Sequence, residues 1–422
     1  MTFTVASSDN LGFSQSQMGD TNSHYSLLTN TPFTFIYTYT ANDPSDSWSF
    51  GNFSAGGATA SCTPSPSGQT DSLNIRSLQD SITPLVATIS GQAITNAIDG
   101  GINDAFYSNG APITFGPSGG FINFFAEPAP KSQSANHAED AFAMLNYARD
   151  NNKVSDKKSP SLLDNPWSAW ADIRGTGWQD DDKTGGVANV KGNQLNLTVG
   201  IGRKLTDNTL IGVIGGYENF KYDVAPLIGS LKGDGLTIGG YFAQRFADLR
   251  FDTEVAWSDL RYDATAGTAV GSFTGSRWLV SAGLTGYYEF NHYVVAPSAK
   301  VYVLWESEKA WTDSVDNQQP SRDFSTGRTA LGARVGRTFE ISNGLTLSPY
   351  VGLYGDWTFQ SDNAFPTTSP IAAIGTGWAG RVNVGVVGKA AGECIISLDG
   401  EYGGLGANYK IWTGNVRLSM PF

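Results

Sequence analysis

The chain has 422 residues and a formal net charge of −12, from 27 Lys and Arg against 39 Asp and Glu, an acidic balance that argues against a nucleic-acid binder. Charged residues reach only 16%, below the roughly 25% of a soluble domain, while 50 glycines and 12% aromatics suit a membrane barrel with bending strands and aromatic girdles. No run of about 18 apolar residues occurs, which excludes helical membrane spans.

Met1–Asn10 carries neither a basic n-region nor an apolar h-region, so no secretory leader is expected within this chain. Residues 1–70 form a first zone rich in Ser, Thr, Asn and Gly. Its run Thr31–Thr40 (TPFTFIYTYT) reads as a strand, and Cys62–Gly68 (CTPSPSG) as a break. Cys62 and Cys394 lie far apart and make no disulfide framework.

Residues 71–165 carry the helix signals. Ser77 with Asp80 three residues on predicts a helix start. Leu78, Ile82, Leu85 and Ile89, then Ile94, Ile98 and Ile102, recur at helical spacing. Pro84 predicts a kink or an early turn. Small residues are dense between them, Gly91, Ala97, Gly100 and Gly101 included, which suits a helix in a narrow pore. A second helix is expected over Asn136–Arg149, with Ala141, Phe142, Leu145 and Ala148 on one face. Both are candidates to fill a lumen.

Residues 166–422 change character. Alternating segments of about ten residues recur between turn signals, as in a transmembrane barrel. They lie near 167–178, 193–204, 208–220, 234–246, 248–260, 275–290, 292–306, 325–339, 344–358, 376–390, 391–402 and 408–422. Tight links at Thr206–Asn208, Ala247–Asp248, Asn291–His292 and Ser342–Gly344 alternate with long ones such as Ala310–Asp323 and Gln360–Ile374. The alternation also assigns faces. Leu195, Leu197, Val199 and Ile201 are interleaved with Gln194, Asn196 and Thr198; Trp278, Val280 and Leu284 with Arg277, Ser281 and Thr285. Arg174, Arg250, Arg277, Arg334 and Arg381 share the polar parity with Asp252, Glu254, Glu306, Glu393 and Glu401. An Arg facing lipid at mid-plane would cost ~2–4 kcal/mol, so the polar face is expected to line the lumen. Those charges either grip a helix or passing chain, or simply hydrate a water-filled pore. A soluble β-sandwich also alternates, but with fewer and less uniform segments.

With these elements in place, the chain resembles the C-terminal translocator part of a bacterial autotransporter (type V secretion). Trp167–Trp178 (WSAWADIRGTGW) reads like the first barrel strand of that family. Asn415–Phe422 (NVRLSMPF) resembles the terminal assembly signal of outer-membrane proteins, carried by Val416, Leu418, Met420 and Phe422. Segments around Gly375–Lys389 and Gly392–Tyr402 also fit. The resemblance covers about 130–422 well and 75–130 loosely. It implies an all-β membrane protein: a twelve-stranded antiparallel transmembrane β-barrel with a preceding luminal α-helix and a small N-terminal β-rich segment. It further implies a monomer in outer-membrane lipid, built by the barrel-assembly machinery, that anchors and exports its own N-terminal passenger without cofactor or catalysis. Pro421 departs from the pattern, since it lacks an N–H and should remove one ladder bond. Two other readings stand beside this one: a porin-like small-solute channel, and a surface adhesin binding through residues 1–130.

Motifs for other chemistry are poor. Gly116–Gly120 (GPSGG) matches G-x-S-x-G but lacks the strand–turn–helix setting of a nucleophile elbow. His24, His137 and His292 have no triad context. Gly375, Gly377 and Gly380 match G-x-G-x-x-G, but Val382, Val384 and Val386 then alternate as a strand, where a dinucleotide site needs a helix. Asp180–Asp182 is contiguous, unlike a spaced Ca²⁺ loop.

Overall fold

Long alternating segments can satisfy every backbone group in lipid only by pairing into a closed cylinder, and this is what the chain does. In the computed structural model, residues 2–6, 11–14, 24–27, 33–36, 59–63, 67–107, 166–180, 189–342, 345–362, 375–390 and 394–422 are described. The predicted helix at Asn136–Arg149, the G-x-S-x-G stretch, His137, Asp181, Asp182 and Glu393 lie outside them. Two compact units divide the chain, Met1–Leu73 and Asn74–Phe422.

In the first unit, Thr2–Ala6 pairs antiparallel with Phe33–Ile36 and with Thr59–Thr63. Leu11–Ser14 pairs with His24–Leu27. The run Thr31–Thr40 thus contributes the strand Phe33–Ile36.

In the second unit the barrel strands are β1 (Trp167–Asp180), β2 (Val190–Thr206), β3 (Thr209–Val224), β4 (Gly229–Phe246), β5 (Leu249–Ala266) and β6 (Ala269–Gly286). They continue as β7 (Tyr293–Glu308), β8 (Arg322–Gly336), β9 (Leu345–Asp362), β10 (Gly377–Lys389), β11 (Ile395–Leu405) and β12 (Tyr409–Pro421). Each pairs antiparallel with its chain neighbours, and β12 returns to pair with β1. The result is a closed barrel of 12 strands. At the seam, Trp167 and Phe422 exchange backbone bonds, the Phe422 N–H donating at 2.9 Å and the Trp167 N–H at 3.3 Å.

That exchange corrects the expectation for Pro421. Trp167 and Phe422 form a hydrogen-bonded pair, so the next pair, Ser168 and Pro421, is a non-bonded one. The Pro421 nitrogen points away from β1. On the other side the register with β11 ends at Ile395 and Ser419. Proline therefore removes no bond from the ladder with β1.

Connections also differ from the expected alternation. The β3–β4 link is the short turn Ala225–Ile228, and β5–β6 is joined at Gly267–Thr268. The residues read as loop are strand instead. Outward positions there are charged, such as Lys221, Lys232, Arg261 and Asp263, while the inward ones, such as Tyr222, Leu231 and Tyr262, are buried. The alternation thus continues with a polar outer face.

Lower down, the outer face is apolar. Trp257, Trp278 and Trp305 stand directly opposite one another across β5, β6 and β7, and Trp357 faces Trp378 across β9 and β10. Near the short turns, Trp167, Phe246, Phe290, Tyr293, Phe339 and Phe422 are exposed. These two rows are the interfacial girdles of a membrane barrel. On β5 the stretch between them, Leu249–Trp257, matches the roughly 9–11 residues that a tilted strand needs to cross a bilayer. Val416, Leu418, Met420 and Phe422 sit on this outer face and are exposed.

Ala282 lies midway along this band, on the outward parity of Trp278 and Leu284 and opposite Thr253 and Val301. Ala282→Arg is expected to cost ~2–4 kcal/mol, read from denaturant unfolding of the chain refolded into lipid vesicles. A cost near zero would place that face away from lipid.

Candidate functional site

The long helix α1 runs Ser67–Tyr107. It begins ahead of the expected start, so Ser77 and Asp80 lie inside it. Ile75 extends the apolar spacing back from Leu78 and is itself buried, which explains the longer helix. Pro84 falls within this single helix rather than at a turn.

Every residue from Leu78 to Phe106 is buried. A surface helix would leave its polar side in water. Here both sides face protein, because the helix threads the barrel. At 1.5 Å per residue the buried stretch is ~43 Å long, more than the ~30 Å hydrocarbon core. The extended ends of β3 to β6 surround the excess. Leu78, Ile82, Leu85 and Ile89 pack against Phe220, Tyr222, Leu260 and Tyr262 in that collar. Ile94, Ile98 and Ile102 join Trp170, Leu210 and Tyr241 towards the other end. Each such side chain, fully buried, contributes about 1.5–3 kcal/mol. The lumen is therefore not uniformly polar: aromatic rings occupy inward positions between the charges.

Glycine sets how closely the wall approaches. Trp170 lies against Gly101 of α1 on one side and Gly200 of β2 on the other, and a Cβ at either would overlap the indole.

Polar contacts run the length of the helix. Near the long loops, Gln79 Nε2 donates to Glu308 at 2.7 Å, and the Arg322 guanidinium bonds the helix between Gln79 and Thr83. The hairpin formed by Trp311–Thr312 and Gln318–Gln319 closes over this level, its Trp311 Nε1 donating to Gln79 at 3.3 Å. At mid-height, Tyr302 donates to the Thr88 carbonyl at 2.7 Å, and the Thr88 and Thr326 hydroxyls are 2.8 Å apart. Ser90 donates to Glu218 and accepts from Gln194 at 2.6 Å. Gln92 donates to Glu401 at 3.3 Å and accepts from Arg328. Towards the short turns, Lys300 donates to the Thr95 carbonyl at 3.0 Å. Arg250 there binds both Asp99 and Asn103, and Arg417 binds Asp104 at 2.9 Å.

The residues singled out from sequence fall into two groups. Arg250 and Glu401 touch the helix directly. The others hold those contacts in place. Asp252 accepts from Arg250 at 2.9 Å, and Glu254 lies 3.4 Å from Lys300. Arg277 bridges Glu218 at 3.1 Å and Glu306 at 2.8 Å. Arg174 meets Glu401 at 2.6 Å, while Arg381 binds Glu401 and Asp356, the latter at 2.8 Å. Arg334 instead stacks over Tyr350, 4.7 Å from its ring centre. Arg322, Arg417, Lys300 and Glu218 on the wall, with Asp99, Asn103 and Asp104 on the helix, had not been singled out. Their signal is Asp99, with Asn103 and Asp104 about one turn further on, in the otherwise small and apolar stretch Ala97–Phe106.

A small cavity of about 20 Å³ lies beside the helix, bordered by Gln92, Asn96, Lys300, Arg328, Tyr354 and Arg381. It has room for about one water. Among the described residues no cluster of His, Cys, Asp or Glu has metal-binding geometry.

A closed barrel with an apolar outer band and a helix through its lumen defines an outer-membrane translocator-type barrel. The autotransporter beta-domain family model matches residues 169–401, and the chain belongs to that family. It is similar to the uncharacterized protein YaiT of Escherichia coli strain K12, 28% identical over 269 residues, which is 60% of this chain and 27% of that one. The Salmonella typhimurium YaiT is 25% identical, covering 60% of this chain and 26% of its own length. The chain thus spans about a quarter of the curated relatives it matches. Among solved structures, the translocator domain of autotransporter NalP from Neisseria meningitidis shares the fold. It has a TM-score of 0.51 at 14% identity and covers 68% of this chain and 98% of that one. The beta domain of the Bordetella autotransporter BrkA aligns at TM-score 0.49 and 21% identity, over 61% of this chain and 100% of that one.

Removing one partner of a buried ion pair leaves an uncompensated charge and costs about 3–5 kcal/mol. Arg250→Met is expected to destabilise the folded barrel by that amount in denaturant titrations. Adding Asp99→Leu to Arg250→Met should restore most of the loss. An Arg250→Met chain as stable as the parent would contradict the pairing.

Proposed function

We propose that this chain anchors and exports an N-terminal passenger across the outer membrane. The carrying observation is α1 in the lumen, fixed by the wall through Arg250, Arg417 and Arg322. Its Asn74 end lies at the level of the long loops, and its Phe106 end near the short turns that flank the start of β1. That polarity is what a passenger exported ahead of the helix requires. On this reading, residues 1–70 are a short passenger-like segment, 71–165 the helical linker and 166–422 the translocator. The barrel works as a monomer in outer-membrane lipid, inserted by the barrel-assembly machinery with Val416, Leu418, Met420 and Phe422 as its terminal signal. It performs no covalent chemistry. The passenger reaches the cell surface. A porin-like role needs an open lumen, and the helix fills this one; the family match likewise favours neither the porin nor the adhesin reading.

In planar bilayers the full chain is expected to conduct poorly. Deletion of residues 78–106 should raise conductance to that of an open pore. A large steady conductance in the full chain, unchanged by the deletion, would contradict the plugged translocator.

A further inference from the structure

Pro84 lies inside α1, and its ring nitrogen carries no hydrogen. Pro84 therefore cannot give the carbonyl of Asp80, four residues earlier, its usual helix bond. A buried carbonyl left without a donor is costly. Here the donor comes from the wall. Arg322, at the start of β8, is fully buried, and its Nη2 donates to the Asp80 carbonyl at 2.8 Å. Its Nη1 donates to Thr83 Oγ1 at 2.7 Å and to the Gln79 carbonyl at 3.3 Å. The guanidinium lies 3.4 Å from the Asp80 carboxylate and 3.6 Å from that of Glu308. The Phe324 ring supports it at 4.6 Å.

Side-chain ion pairs tolerate sliding, because long side chains can follow or change partners. A main-chain carbonyl freed by proline does not. One turn along, a displacement of about 5.4 Å, helix carbonyls are bonded within the helix. The planar fork of an arginine suits several acceptors in fixed geometry, as the point charge of a lysine does not.

We propose that Arg322 is a register-determining residue that reads the carbonyl freed by Pro84 and so fixes where α1 comes to rest in the barrel. The purpose of such a stop rests on the export reading. The register itself can be measured whether or not the chain exports anything.

The test uses the full chain carrying Cys62→Ser and Cys394→Ser, assembled in membranes. Thr88 and Thr326 have hydroxyls 2.8 Å apart, so a T88C/T326C disulfide reports the native register. Q92C/T326C reports a slip of one turn. Arg322→Met is expected to shift the ratio of native to slipped disulfide by about ten-fold. Arg322→Lys should give an intermediate shift. Pro84→Ala restores the missing N–H, and in that background Arg322→Met should change the ratio by less than about two-fold. An equal shift in both backgrounds would overturn the proposal, since Arg322 would then act only as a counter-ion to Asp80 and Glu308. So would an unchanged ratio in Arg322→Met alone. If Arg322→Met does not assemble, Arg322→Lys with and without Pro84→Ala makes the same comparison.

Discussion

The structure depends on a mutual requirement between the barrel wall and the helix inside it. Asp99 and Asp104 could not remain charged in so tight a lumen without partners, and Arg250 and Arg417 could not point inward without acceptors. Each pair joins residues far apart in sequence: Arg250 with Asp99, and Arg417 with Asp104. The two pairs also sit on opposite parts of the barrel, β5 and β12, so together they centre the helix. Further wall charges act at one remove. Arg277 holds Glu218 for Ser90, and Arg174 with Arg381 holds Glu401 for Gln92. The wall is a network in which few carboxylates lack a cation nearby.

Size works alongside charge. A twelve-stranded barrel leaves room for one helix only if inward residues are matched to it. Aromatic rings such as Trp170, Tyr241 and Tyr302 fill the gaps, and glycines on both surfaces let them do so. Where strands rise beyond the apolar band, the inner wall turns apolar and the outer wall charged, so the protruding part is built like a soluble sheet closed around the helix. Position relative to the membrane and contact with α1 are thereby encoded on the two faces of the same strands.

Much of this was legible in the sequence because strand alternation is local. Leu195–Ile201 and Trp278–Leu284 declare their outward faces residue by residue, and the windows read from such patterns overlap all the barrel strands. The upper ends of β3 to β6 look like loops in the sequence because Lys221, Lys232 and Asp263 break the apolar outward pattern, although the period of two continues beneath them. The cost of Pro421 was overestimated because hydrogen-bonded and non-bonded pairs alternate, and only the register shows which kind a residue occupies. Ser77 resembles a helix start without being one, because capping signals are short and recur by chance. The pairing of Arg250 with Asp99 had no local signal at all. It requires both the barrel closure and the axial position of the helix, which no window of sequence contains.

The central claim is that α1 is part of the folded core of the barrel. Amide hydrogen–deuterium exchange of the full chain in lipid measures this directly. If the claim holds, amides from Leu78 to Phe106 exchange as slowly as those of β5 and β6. Exchange of the helix at the rate of an unstructured peptide, with the strands still protected, would contradict it.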